Sequence, residues 1–444
     1  MLNQEDNEVL TRVSRGTPMG DLMRQYWVPA LPSSEFPGPD SPPVRMKLLG
    51  EYLVMFRDSN GDMGCFAESC PHRGASLVYG RNEECGLRCA YHGWKFDVTG
   101  QCIDMPSEPE NTTFVSKVKA RAYPARDVNH MVWVYMGPRE VPPPFPEFDI
   151  TTLPKENVAP PSVMMEEANW MQNLEGDIDS AHLDWLHSRL GPDVPAMAGA
   201  FRGTWTLDRK PRLEVVPTEY GAYYSARRTH EDGREWHRIN QFIFPFHTMI
   251  NVDTGVSLRS FVPLDDQFAM LIFQTGSLTG PIDPTKQLVT GPNDFDSVGG
   301  YIERTSEPST YFMTRANRLN HYNRDFEVEK TQMYSGIPFV VNLQDRAMTE
   351  LMTNAKGERI YDRTHEHLGT TDAMVIVVRR QLARAAKAML ESKQVPPNVD
   401  NTRLDRVRQA EVVLPRGADW IKETEELRSA DVGVVIRSDR SLFA

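Results

Sequence analysis

Apolar residues Val9, Leu10 and Val13 fall at the spacing of one helix face, and Gly16, Pro18 and Gly20 interrupt the stretch after them. Two short helical pieces are therefore expected within residues 1–25. From Val44 the period falls to two. Met46 and Leu48 alternate with Arg45 and Lys47, and residues 51–56, 64–67 and 130–137 read as strands between turn residues. Short strands without long helices between them predict a small antiparallel sandwich. Residues 137–161 then crowd prolines into a stretch with no clear period, the best domain boundary in the chain.

Beyond that boundary the pattern predicts a helix over 164–187, then strands at 222–230, 235–244, 255–264 and 268–276. Asp232-Gly233 between the first two is a hairpin signal. Residues 277–335 are rich in Gly, Pro, Asn and Asp and read as a long excursion that covers a site or meets a partner. A helix over 345–357 places Ala347, Met348, Leu351 and Met352 on one side, with Gly357 past its end. A longer one over 372–390 lines Met374, Val378, Leu382, Ala385 and Met389 opposite a basic face, and Pro396 stops it. No repeat of 20–50 residues is visible. The expected class is α+β: an antiparallel domain followed by a larger mixed one.

Composition narrows the function. The 444 residues suit two or three domains, and 61 acidic against 49 basic side chains give a net charge of −12. That balance argues against nonspecific nucleic-acid binding, which needs a basic face. No apolar run approaches the roughly 18 residues of a membrane span, and the acidic N-terminus is unlike a signal peptide. All five cysteines, Cys65, Cys70, Cys85, Cys89 and Cys102, lie in one short stretch. In a chain this large, expected to be cytoplasmic, such clustering points to a metal rather than to disulfides.

The strongest chemical signal is Cys70-x-His72, sixteen further residues, then Cys89-x-x-His92. Two thiolates and two imidazoles could hold zinc. Each pair, however, joins one Cys to one His, and a glycine follows each (Gly74, Gly93), so backbone amides could approach cluster sulfurs. Pro71, Tyr91 and Trp94 would shield the group from water. Together, CPHRG and CAYHGW closely resemble the ligand motif of Rieske [2Fe–2S] proteins, in which two Cys hold one iron and two His the other. Cys65, Cys85 and Cys102 are then left as small buried apolar residues.

A second group lies at Asp179, His182 and His187. Five residues at about 100° each leave the two histidines about 140° apart on a regular helix, so joint ligation needs a broken turn. EGDIDSAHLDWLH resembles the iron motif of Rieske non-haem iron oxygenases, most closely the phthalate 4,5-dioxygenase type. The likeness spans essentially the whole chain. It implies an N-terminal Rieske sandwich and a catalytic domain with a curved antiparallel sheet and flanking helices, divided as 1–25, 26–150 and 151–444. It also implies that His182 and His187 bind mononuclear Fe(II) with one carboxylate.

By that resemblance the carboxylate is Asp345, expected at a strand-to-helix transition, where its bland role would be to cap the helix. Glu350 is the fallback. His365 and His367, two apart, are not expected to ligate. The resemblance makes Asp179 the bridge from one subunit's Rieske histidine to the next subunit's iron histidine. Glu175, where naphthalene-type relatives carry asparagine, reads as a branch marker.

The resemblance thus implies the terminal oxygenase of a multicomponent system, acting with O2 on a small aromatic substrate. No Gly-x-Gly-x-x-Gly follows a strand, so electrons are expected from a separate reductase or ferredoxin. Homotrimers, or stacked pairs of them, are implied as well. Two other readings stand beside it: a Rieske electron carrier without oxygenase activity, and a zinc protein. Phe242, Phe244, Phe246 and Met249 suit an apolar aromatic pocket. Arg202, Arg212, Arg227, Arg228 and Arg238 lie nearby, and a pair of them could hold a carboxylate.

Overall fold

The computed structural model describes residues 2–110, 113–191, 208–250, 255–282, 300–337, 341–401 and 403–429. Arg202 and part of the 277–335 excursion lie outside them. The chain opens with two short helices, α1 (Gln4–Thr11) and α2 (Pro18–Met23), separated where the sequence predicts a break. Asn3 caps the first and Thr17 the second through side-chain oxygens, and Pro18 takes the first helical position of α2. Val9, Leu10 and Val13 are buried.

Three small antiparallel sheets come next. β1 (Trp27–Pro32) pairs with a later strand; β2 (Val44–Leu48), β3 (Glu51–Arg57) and β4 (Met63–Ala67) form the first meander. β5 (Arg81–Glu83), β6 (Gly86–Arg88), β7 (Lys95–Phe96) and β8 (Cys102–Asp104) form the second. β9 (Ala125–Val128) and β10 (Met131–Tyr135) complete the sheet β1-β10-β9. The expected strands at 44–48, 51–56, 64–67 and 130–137 all form. β1 is not expected from the sequence, because Pro29 and Pro32 read as breakers; the register shifts between Pro29 and Leu31, which accommodates the missing donor.

After a short helix α3 (Asp149–Thr152), β11 (Ser162–Glu166) leads to α4 (Trp170–Ile178). The expected helix over 164–187 is thus three pieces: a strand, a nine-residue helix and a 3₁₀ turn at His182–Asp184. Val163, Met164 and Met165 are an apolar run whose period does not distinguish helix from strand, and antiparallel pairing with residues 269–273 settles it as strand. Asn169 starts α4 by accepting from Met171 N, while its amide nitrogen donates to Thr11 O and Asp266 O.

The large sheet holds β11, β12 (Arg212–Pro217), β13 (Gly221–Thr229), β14 (Glu235–Ile243), β15 (His247–Met249), β16 (Val256–Pro263), β17 (Ala269–Gly276) and β18 (Ala410–Leu414). Its order is β11-β17-β16-β15-β14-β13-β12, with β18 also on β14 and every pair antiparallel. β15 meets β14 at residues 241–243 and β18 meets it at 235–239, so the two share one edge. β14, β16 and β17 are buried along their whole length. Polar residues within them therefore point into the protein, among them His237, Arg238, Asn240 and Arg259.

Three further helices bear on the site: α5 (Phe326–Thr331), α6 (Val341–Thr349) and α7 (Ala373–Ser392). α6 begins four residues earlier than expected and ends before Glu350. Leu343 and Ala347 carry its buried face, whereas Met348, Leu351 and Met352 are exposed. Asp345 is consequently mid-helix and caps nothing. α7 buries Met374, Val378 and Leu382 as expected, but its supposedly basic side also sends Arg379 inward. Lys393 ends it in a left-handed conformation, ahead of Pro396.

α1 and α2 pack on α7, and α4 packs on β14, β15, β16 and α6. One apolar core runs from α1 through β1 and β10 into the large sheet. A second, smaller core contains Cys70, Cys89, Trp94, Phe96 and Cys102. Among the described residues no helix is long and apolar enough to cross a membrane.

Candidate metal centres

The two Cys–His segments fold as matching loops. Cys70 N donates to Ala75 O and Gly74 N to Cys70 O; Cys89 N donates to Trp94 O and Gly93 N to Cys89 O. Gly74 and Gly93 share a φ of 75°, the left-handed region that glycine reaches without strain. Repetition of one tight turn brings the two halves together. The rings of His72 and His92 lie 4.5 Å apart between centroids, and His72 stacks on Trp94 at 4.2 Å.

Cys70 and Cys89 are buried side by side. Burial, and then the proximity of Cys89, push the Cys70 thiol up to about 11. Among the described residues, the buried His72 Nδ1 has no hydrogen-bond partner. A pair of desolvated sulfurs and an idle imidazole nitrogen fit a bound metal cluster, which takes thiolates and a nitrogen lone pair. Cys102 sits near Cys70 but turns its sulfur to Asp104 O. Cys65 is buried on β4, whereas Cys85, expected buried, is only half-buried at the β5–β6 turn with a positive φ.

The second group lies where α4 ends. Asp179 Oδ1 accepts from Ala181 N at 2.7 Å and Oδ2 from His182 N at 3.3 Å. These bonds draw the backbone out of the helix. The break removes the angular problem of a five-residue spacing. His182 and His187 now meet edge to face at 5.0 Å. Asp345, projecting from α6, sets Oδ1 2.9 Å from His187 Nε2 and 3.5 Å from His182 Nε2. One donor atom from each of the three residues lies within 4.8 Å of the others.

Each Nδ1 faces an acceptor. Asp179 Oδ2 is 3.1 Å from His182 Nδ1, and Gln344 Oε1 is 2.6 Å from His187 Nδ1. With protons held on Nδ1, both Nε2 lone pairs turn toward Asp345. Burial disfavours the charge on Asp345; when His187 and His182 are protonated they outweigh it and hold its carboxyl below the usual range. Burial likewise opposes charge on Asp179 and on His182; their mutual bond prevails, lowering the acid and raising the base. His187 is 1% exposed, against 21% for His182 and 29% for Asp345. The group is sealed on one side and open on the other. Two nitrogens, one carboxylate oxygen and an open side fit a mononuclear iron centre.

The other acids and histidines are occupied or remote. Glu350 accepts from Arg346, Tyr322 OH and Glu167 N. His365 and His367 are exposed. Arg212 pairs with Asp208 and Arg227 with Glu235. Arg228 and Asp184 form a wholly buried pair at 2.6 Å, and the same guanidinium donates to Ser180 O at 2.7 Å. It therefore grips the turn that carries His182, with burial pushing Asp184 up to about 6. Phe242, Phe244, Phe246 and Met249 pack into the main core.

Glu175 has a part in this scaffold that the sequence does not disclose. It accepts from Arg363 at 2.8 Å and from Arg379 at 2.6 Å, and Arg379 also pairs with Glu366. The cluster ties α4, one turn before Asp179, to α7. Burial works against the Glu175 charge, but the two arginines hold its carboxyl below the usual range. Glu175→Gln is expected to cost about 3 kcal/mol at pH 7 by urea denaturation. Because the folded pKa lies below the unfolded value of about 4.3, the wild-type advantage persists above that pH. It vanishes as pH falls through the folded pKa.

Two family models match the chain: a Rieske [2Fe-2S] domain over residues 26–123 and a LigXa C-terminal domain like region over 134–441. The 3-chlorobenzoate-3,4-dioxygenase oxygenase subunit of Comamonas testosteroni is 37% identical over 94% of this chain and 96% of its own length. The chain belongs to the Rieske non-haem iron oxygenases. Within them it is a terminal oxygenase subunit. The phthalate 4,5-dioxygenase oxygenase subunit of Pseudomonas putida is 35% identical over 95% of this chain and 94% of its own. Dicamba monooxygenase, at 17% identity, shares the fold with a TM-score of 0.54 over 82% of this chain and 99% of that one. The family's cofactors are a [2Fe–2S] cluster and a mononuclear iron, as the sequence resemblance implied.

Proposed function

We propose that this oxygenase binds mononuclear Fe(II) through His182, His187 and Asp345, and a [2Fe–2S] cluster through Cys70, His72, Cys89 and His92. When bound, the cluster supplies single electrons and the mononuclear iron activates O2. The convergence of three donor atoms from two separate segments within 4.8 Å carries the reading. The residues do the rest. Asp179 and Gln344 hold protons at the Nδ1 atoms, Arg228 and Glu175 brace the segment between, and the open side admits substrate and O2.

We divide the chain into a helical lead-in (1–25), a cluster domain (26–150) and a catalytic domain (151–444). The proline-rich stretch at 137–161 supports the second boundary. Electrons come from a separate ferredoxin or reductase; solved relatives of this fold include an oxygenase–ferredoxin complex. Asp179, already bonded to His182, is the bridge to a partner subunit's cluster histidine in a head-to-tail homotrimer. Five cysteines free of disulfides suit the cytoplasm.

The substrate class we favour is an aromatic ring bearing a carboxylate. Arg238 is buried on β14, and its charge is felt at His182. The relatives named for 3-chlorobenzoate and phthalate support the same class. A screen with a surrogate reductase, reading O2 uptake and product mass, tests this. Benzene carboxylates are expected to exceed uncharged analogues by at least about tenfold in kcat/KM, the worth of one charge-assisted bond. Equal activity on methoxylated or N-alkyl neutral compounds would contradict it.

A further inference from the structure

We propose that Gln344 is a positioning residue that fixes the tautomer of His187, so that metal affinity depends on an amide that never touches the metal. The inference rests on the ligand assignment above. A neutral imidazole carries one proton on two nitrogens, and only the deprotonated nitrogen can bind metal. Which nitrogen that is depends on what the other one meets.

At His187 the answer is determined by geometry. Gln344 has one oxygen and one nitrogen at its tip, and its amide nitrogen lies 2.7 Å from Ile337 O. A backbone carbonyl only accepts, so the nitrogen must face Ile337 and the oxygen must face His187. Met333 sulfur, 3.3 Å from the same nitrogen, is a further weak acceptor that supports this orientation. Gln344 Oε1 cannot donate. The bond of 2.6 Å therefore requires the proton on His187 Nδ1 and leaves the lone pair on Nε2. Gln344 is 3% exposed and the His187 ring is sealed, so water does not offer an alternative partner.

Consecutive residues of α6 thus address opposite nitrogens of one histidine: Gln344 at Nδ1, Asp345 at Nε2. The two histidines are also unlike. His182 is backed by a carboxylate, which draws on its Nδ1 proton and strengthens Nε2 as a donor; His187 is backed by a neutral amide. The excursion has a task here as well. Its end supplies the anchor for Gln344, since Met333 bridges to Arg189 and Gln332 O accepts from Leu190 N, just beyond His187.

The test uses the full chain with its cluster intact and its mononuclear site emptied by chelation. Fe(II) is titrated back anaerobically against a competing chelator, beside a thermal melt. Gln344→Leu and Gln344→Met remove the acceptor and are expected to weaken Fe(II) binding by about 10–100-fold. Gln344→Glu should bind near wild-type affinity, because its carboxyl keeps an oxygen that accepts from His187 Nδ1. A merely structural role would lower the melting temperature and leave Fe(II) affinity unchanged in folded Gln344→Leu or Gln344→Met; that result overturns the inference. So would Gln344→Glu binding as weakly as Gln344→Leu. His187→Ala, run alongside, separates the levels: iron retained there refutes the ligand assignment itself, whereas iron lost there with Gln344→Leu unaffected refutes only the role of Gln344.

Discussion

His187→Ala is expected to reduce mononuclear iron from about one per chain to background, and product formation by about three orders of magnitude. Its Nε2 is a donor within the three-residue group, and removing it leaves one imidazole and one carboxylate. The substitution also strands Gln344 Oε1, an unsatisfied buried acceptor that costs about 1–3 kcal/mol. The folded protein should tolerate that. The visible spectrum of the cluster should be unchanged, because Cys70 and Cys89 belong to a different apolar core from the one around α4 and α6. Metal analysis beside the visible spectrum checks both statements. A His187→Ala protein that keeps its third iron and its turnover would remove this residue from the site.

Asp179→Asn should lower product formation by about a hundredfold even when both metals are loaded. Asp179 uses both oxygens: Oδ1 caps Ala181 N and Oδ2 faces His182 Nδ1. Asparagine has one oxygen. If that oxygen keeps the cap, an NH2 confronts the Nδ1–H of His182; if it turns to His182, the cap is lost. Losing the cap alone costs about 1 kcal/mol and would leave turnover per folded chain almost unchanged. The bridge role predicts more: dithionite still reduces the cluster, yet product per reduced cluster falls. Single-turnover measurements on the iron-loaded variant distinguish the two, and a wild-type rate there would exclude the bridge.

Much of the site is legible in the sequence because the chemistry-bearing residues are local. Cys70, His72, Cys89 and His92 stand in two short loops whose glycines announce the turn, and Asp179, His182 and His187 stand in another. Strands with an alternating pattern, such as β2, are equally plain. The hidden features depend on distant partners. The run Val163–Met165 becomes a strand only because β17 lies beside it. Asp345 could not be chosen by spacing among 61 acids, and its place within α6 rather than at its start follows from the buried stripe Leu343 and Ala347.

Gln344 and Arg228 carry no motif at all, and the motif that begins at Glu175 does not name the partners of that carboxylate. Their meaning lies in buried contacts to residues 157, 44 and 188 positions away. A glutamine beside an aspartate, or an arginine on a strand, reads as surface until the fold buries it. The Nδ1 proton of a metal-binding histidine demands an acceptor, but that demand does not point to a particular residue in the sequence.

Iron and acid-labile sulfide per chain, determined together on the purified protein, show whether the cluster and the mononuclear iron coexist in one chain. Two separate sites predict about three irons and two sulfides, the third iron lost on mild chelation without bleaching the cluster. Two irons and two sulfides in protein that was given Fe(II) anaerobically, with full red-brown colour, would contradict a mononuclear iron centre at His182, His187 and Asp345.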